Sequence, residues 1–151
     1  MAGKSIRSRA PEASSEAVRR RMQATGRRDT PGELALRSAL HRLGLRFRVD
    51  CRPVPEIRRR ADIVFRAAAV AVFMDGCFWH GCPMHGTWPT LNGAWWREKI
   101  EANRQRDTDT DRRLREAGWM AIRIWAHEDA AESARTIRKM VAARRLTERR
   151  P

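Results

Sequence analysis

The sequence predicts a mixed α/β domain, a β-sheet flanked by helices, and two observations carry that expectation. Short apolar segments at 62–65 and 70–74 lie so close together that they must pair as a hairpin. Around them, apolar residues recur at helical spacing in three stretches, and a further apolar run at 119–125 supplies another buried strand. A chain of 151 residues suits one such domain.

Residues 1–17 are rich in Ser, Ala and Arg without periodicity and are expected to form a disordered tail. Residues 18–28 (VRRRMQATGRR) read as a basic arm that orders against phosphate, the folded domain as 18–147, and 148–151 as a tail. Thr30-Pro31-Gly32-Glu33 has the form of a capping box with Pro at the first helical position. Leu36, Leu40 and Leu43 then follow on one face, and Gly44 ends the helix as a left-handed cap. Residues 45–49 alternate as a short strand, and 51–60 form a loop rich in Pro and Arg. Residues 66–69 connect the hairpin strands, of which the second ends at Asp75-Gly76. From 77 to 92 Gly, Pro, His and Trp occur without period, the mark of an irregular, ligand-held loop. A long helix at 95–117 stops at Gly118, and an amphipathic helix at 130–145 follows the last strand.

Lys and Arg number 32 against 18 acids, a formal net charge of +14. So basic a chain meets a polyanion, of which nucleic acid is the commonest, although a solvated basic surface is the plainer alternative. Arg outnumbers Lys, which favours forked contacts to phosphate. The first residues have no apolar core for a secretory signal, and the apolar run 67–74 is too short to cross a bilayer. The expected setting is therefore the reducing cytoplasm, at the nucleoid, with no membrane partner. Three cysteines there point to metal rather than a disulfide framework.

Cys77, Cys82 and His85 form C-x4-C-x2-H, and His127 lies just beyond the last strand. Tetrahedral zinc takes four Cys or His ligands, and a loop with few aliphatic residues needs some such staple. The alternative is two buried cysteines and two surface histidines. Asp62 opens one hairpin strand and Asp75 ends the other, so both fall near one end of the sheet. Converging carboxylates are what Mg²⁺ requires, yet aspartates also serve as plain turn formers at strand ends. Glu33 is the capping-box partner or, on the apolar face of its helix, a third member of the acidic group, and both roles at once are possible. His80, titrating near neutrality, is a candidate for moving a proton to or from attacking water. Six Trp with no Tyr is an unusual usage, and Phe78, Trp79, Trp88, Trp95 and Trp96 crowd together. Some belong to the core, but flat apolar side chains on a basic surface also wedge between base pairs.

The segments DIVF (62–65), VFMDGCFWHGCP (72–83), WREKI (96–100), Asn103, Arg106-Asp107 and LREAGW (114–119) resemble the very short patch repair (Vsr) endonucleases over about residues 18–128. The resemblance implies a restriction-endonuclease-like fold with a structural zinc site, and a mismatch-directed nickase. It places the metal-binding aspartate at Asp62, a metal-facing backbone carbonyl at Met74, the catalytic histidine at His80 and the helix glutamate at Glu33. The zinc ligands become Cys77, Cys82, His85 and His127, and the intercalating aromatics Phe78, Trp79 and Trp96. Two departures stand out: Ala61 replaces a usual proline, and Asp75 occupies a position that is histidine in some relatives. The first should alter loop stiffness rather than chemistry, and the second should favour metal. The expected activity is Mg²⁺-dependent nicking of double-stranded DNA beside a T·G mismatch, starting very short patch repair of deaminated 5-methylcytosine. The chain is expected to act as a monomer, with mismatch-repair recruitment factors as candidate partners. The alternatives are a nuclease of the same fold in restriction or defence, and a non-catalytic zinc-held DNA-binding module.

Overall fold

The protein was analysed as a computed structural model that describes residues 16, 20, 28–77, 81–84 and 90–148. The expected tail at 1–17 and the arm at 18–28 lie outside the described residues except for Glu16, Arg20 and Arg28, as do His80, His85, Phe78, Trp79 and Trp88.

Helix α1 is Pro31–Arg42. Thr30 caps it in extended conformation, its Oγ1 accepting from the Glu33 amide at 3.3 Å. The returning half of the capping box reaches one residue further than expected, since Glu33 Oε2 accepts from the amide of Asp29 at 2.9 Å. At the other end Gly44, at φ +79°, donates to His41, and Leu45 donates to Leu40. These are the paired bonds of a Schellman closure, and Leu40 and Leu45 both join the apolar core beneath it. Leu45 is therefore spent on closing the helix, and strand β1 begins later than expected, at Arg48–Cys51.

β1 pairs antiparallel with β2, Ala61–Phe65, and β2 pairs antiparallel with β3, Val70–Asp75. The expected hairpin is thus the second half of a three-stranded meander. A single 3₁₀ turn at Arg66–Ala68 and left-handed Ala69 connect β2 to β3. Helix α2, Gly93–Glu116, crosses over to β4, Met120–Trp125, which lies parallel to β3. Gly118, at φ +81°, closes α2 as Gly44 closes α1. Helix α3, Ala130–Glu148, runs past the expected end at 145. The sheet order is β1-β2-β3-β4.

Each sheet face has its own core. Alternate residues Ile63, Phe65, Val70, Val72, Ile122 and Ile124 meet Leu36 and Leu40 of α1 and Ile137 and Val141 of α3. The opposite face offers Val64, Ala71 and Phe73 to Leu114 of α2 and to Ile57. Large side chains buried this fully contribute about 1.5–3 kcal/mol each. The result is a mixed four-stranded sheet between helices. Among the described residues no helix is long and apolar enough to cross a membrane.

Candidate active site

The site gathers where β2 begins and β3 ends. Ile63 faces Val72, so antiparallel pairing sets Asp62 beside the last residues of β3. Its Oδ2 accepts from the Met74 amide at 2.6 Å. Burial pushes the Asp62 carboxyl up to about 6; the Met74 bond pulls it down, while the charges of Glu33 and Asp75 push it further up. A half-buried carboxylate is a hard oxygen donor, of the type that Mg²⁺ takes.

Helix α1 delivers Glu33 to the same neighbourhood. Gly32 allows the approach: a Cβ there would stand 3.3 Å from Met74 Cε. Glu33 is buried, 7 % exposed, as its place on the Leu36–Leu40 face predicts. Its carboxylate holds the Asp29 amide and, at 3.2 Å, Arg37, so the capping role and membership of the acidic group occur together.

Asp75 lies near Asp62, but its carboxylate is engaged elsewhere. Its oxygens stand 3.0 and 3.3 Å from Nη1 of Arg123 in β4. The same guanidinium meets Asp111 at 2.8 Å and Asp107 at 3.5 Å, both on α2, and its carbon lies 4.6 Å from the centre of the Phe73 ring. The register brings Asp75 to the same end of the sheet as Asp62, but the expected pair of carboxylates free for a cation is not what the structure shows, since Asp75 is balanced by an arginine. Arg123 is the residue at this end of the sheet that sequence reasoning missed. Its signal was a charge inside the apolar run WMAIRIW, which burial permits only with partners.

The parallel register continues past both strands. Asp75 faces Trp125, and the Asp75 carbonyl accepts from the Ala126 amide at 2.9 Å, which carries His127 to the level of Cys77. Cys77 folds back on itself, its carbonyl accepting from the Cys82 amide at 2.8 Å. His127 Nδ1 consequently stands 3.2 Å from Cys77 Sγ and 3.7 Å from Cys82 Sγ, and the three donor atoms lie within 4.8 Å of one another. Tetrahedral zinc, with Zn–S ~2.3 Å and Zn–N ~2.0 Å, would separate such donors by about 3.5 Å. Donor type and spacing both fit a metal ion. Burial and the neighbouring Cys82 raise the Cys77 thiol. The fourth expected ligand, His85, lies outside the described residues, as do His80, Phe78 and Trp79.

Trp96 is described, half-buried near the start of α2 and edge-on to Trp95 at 4.8 Å. The loop docks onto this helix through Gly81. That residue sits at φ +64°, its carbonyl accepts from Arg104 at 2.5 Å, and a Cβ would collide with Ile100 at 2.9 Å.

Comparison with known proteins finds a matching family and several relatives. Residues 13–85 match the family model described as DNA mismatch endonuclease Vsr. The chain is 45 % identical over 120 residues to the type II nicking enzyme V.NaeI of Lentzea aerocolonigenes, covering 78 % of this chain and 72 % of that one. It is 38 % identical to the type II nicking enzyme V.XorIIP of Xanthomonas oryzae pv. oryzae, covering 71 % of this chain and 77 % of that one. To the DNA mismatch endonuclease Vsr of Escherichia coli K12 it is 35 % identical, covering 85 % of this chain and 77 % of that one.

Proposed function

The chain belongs to the Vsr family of DNA mismatch endonucleases, and from that premise we propose that this metal-dependent DNA endonuclease nicks one strand beside a T·G mismatch to start very short patch repair. The observation that supports it best is Asp62, a half-buried acid set against the end of β3 with its proton affinity raised. We assign Asp62 and the Met74 carbonyl to holding Mg²⁺. When bound, magnesium supplies Lewis acidity toward a phosphoryl oxygen and a water of lowered pKa. Glu33, held by the Asp29 amide and Arg37, presents a second carboxylate to the site. His80 takes the part of the proton carrier. Asp75, bound to Arg123, contributes its negative charge, which is felt at Asp62.

Cys77, Cys82, His85 and His127 are assigned to structural zinc, which fixes the loop carrying His80. Phe78, Trp79 and Trp96 are assigned to insertion between base pairs, where a weakly paired T·G step costs less to unstack. The nuclease domain is placed at 18–147 and acts as a monomer in the cytoplasm, with mismatch-repair factors recruiting it. A second reading, service to a restriction system, is favoured by the names of V.NaeI and V.XorIIP as type II nicking enzymes.

The test is a nicking assay with Mg²⁺ on matched, methylated and all mismatched duplexes. Preference for T·G is expected, with Asp62→Ala losing activity by at least a hundredfold. Equal cutting of matched sites supports the restriction reading, and wild-type rates in Asp62→Ala sink the assignment of the site.

A further inference from the structure

A second charged cluster lies one strand away from Asp62. Val49 faces Ile63 and Cys51 faces Ala61, so the paired residues that flank Asp50 in β1 are those that flank Asp62 in β2. Paired strands lie about 4.8 Å apart, so whatever Asp50 gathers stands beside the catalytic end of the sheet. Asp50 gathers two arginines from distant parts of the chain. Arg60 Nε donates to Oδ1 at 2.9 Å and Nη2 donates to the Asp50 carbonyl, while Arg28 Nη1 stands 3.2 Å from Oδ2. Asp50 itself adopts a left-handed φ of +46°, a strained conformation that aspartate tolerates better than most residues. The Arg60 hydrogen bond, with the charges of Arg60, Arg28 and Arg37, holds its carboxyl below the usual carboxylate range. Arg37 acts electrostatically on Asp62 as well.

A surface salt bridge of this kind contributes little stability, ~0–1 kcal/mol, so stability does not account for a strained aspartate with both oxygens committed. Both arginines keep 58 % of their side chains exposed. Arg58 and Arg59 immediately precede Arg60, which leaves the cluster cationic overall, and Arg28 ends the basic segment 18–28.

We propose that Arg28 and Arg60, gathered on Asp50, form a binding site for a backbone phosphate of the duplex beside the Asp62 end of the sheet, with Asp50 as the positioning residue. Asp50 fixes one edge of each guanidinium, so the remaining N–H groups meet the phosphate already ordered, and less conformational entropy is lost on binding. The proposal rests on the reading of the chain as a nuclease that nicks duplex DNA, but not on the mismatch it prefers.

The experiment is fluorescence anisotropy of the full chain on a matched 20-base-pair duplex without Mg²⁺, across a range of salt. Arg60→Ala and Arg28→Ala should each flatten the dependence of log affinity on log salt by about one unit. Asp50→Ala raises the net charge, so charge alone predicts tighter binding; the positioning role predicts binding weaker by about three- to tenfold. Asp50→Asn keeps an acceptor and tolerates the left-handed backbone, and should recover most of that loss while staying weaker than wild type. Should Asp50→Ala fail to fold by circular dichroism, the Asp50→Asn affinity decides. Wild-type slopes in both arginine variants, or wild-type or tighter binding in the folded Asp50 variant, overturn the proposal. Loss of T·G preference in the nicking assay would instead count against the repair role and leave this site untouched.

Discussion

Asp62 makes the stability of the metal-free protein fall as pH rises. Its folded pKa is raised from 3.8 to about 6, so between those values the native state binds more protons than the unfolded chain. Stability contributed by this carboxyl is therefore fully present below about 3.8 and is lost as pH rises through about 6. At one pKa unit per 1.36 kcal/mol the loss is about 3 kcal/mol as an upper bound. In metal-free protein Asp62→Asn should melt several degrees above wild type at pH 7.5, and the gap should close by pH 4. Mg²⁺ should raise the melting temperature of wild type only, because a bound cation offsets the cost of ionising Asp62. Thermal melts at the two pH values with and without Mg²⁺ check this. A variant less stable than wild type at pH 7.5 would contradict the assignment.

At the scale of elements, most of the fold was legible because its signals are local. Thr30, Pro31, Gly44 and Gly118 mark helix ends by backbone chemistry that few other residues supply. The pairing of β2 with β3 followed from a connection too short for anything else. What was hidden depends on separation along the chain. Residues Asp75 and Arg123 lie 48 positions apart, and no local pattern announces that one guanidinium joins β3, β4 and α2. The later start of β1 was hidden because Leu45 alternates like a strand residue while its amide belongs to the helix closure. Arg123→Met should therefore cost about 3–5 kcal/mol, since it leaves buried Asp75 without its balancing charge. Adding Asp75→Asn should recover part of the loss in urea denaturation. Equal destabilisation by the single and double variants would mean that the pair is not the cause.

The metal loop is likewise an element held from outside itself. Cys77 and Cys82 come from one turn, while His127 arrives by the β3–β4 register, so an ion there would tie the loop to the sheet. Cys82→Ala should lose bound zinc and nicking together. Because the Cys77 thiol is raised, metal binding must displace protons, and zinc affinity should fall steeply as pH drops below neutrality. Elemental analysis alongside the nicking rate reads this directly. Full activity in a zinc-free Cys82→Ala protein would separate the loop from catalysis.

Over the whole molecule, charge is sorted by depth. Glu33, Asp62 and Asp75 are buried or half-buried at the end of the sheet, while many of the arginines that make the net charge +14 lie at the surface. The two populations answer differently to salt. Surface cations bind DNA by releasing counterions, and 6–10 phosphate contacts lose about 10³–10⁵ in affinity between 50 and 200 mM salt. Buried and half-buried charges are screened far less. Affinity for duplex DNA should thus collapse with added salt, whereas the nicking rate at saturating DNA and constant free Mg²⁺ should change less than threefold. Single-turnover rates measured beside binding isotherms make the comparison. A saturated rate that falls as steeply as affinity would place the acidic group in exchange with bulk ions, and so contradict the assignment of Asp62 to a site shielded from bulk salt.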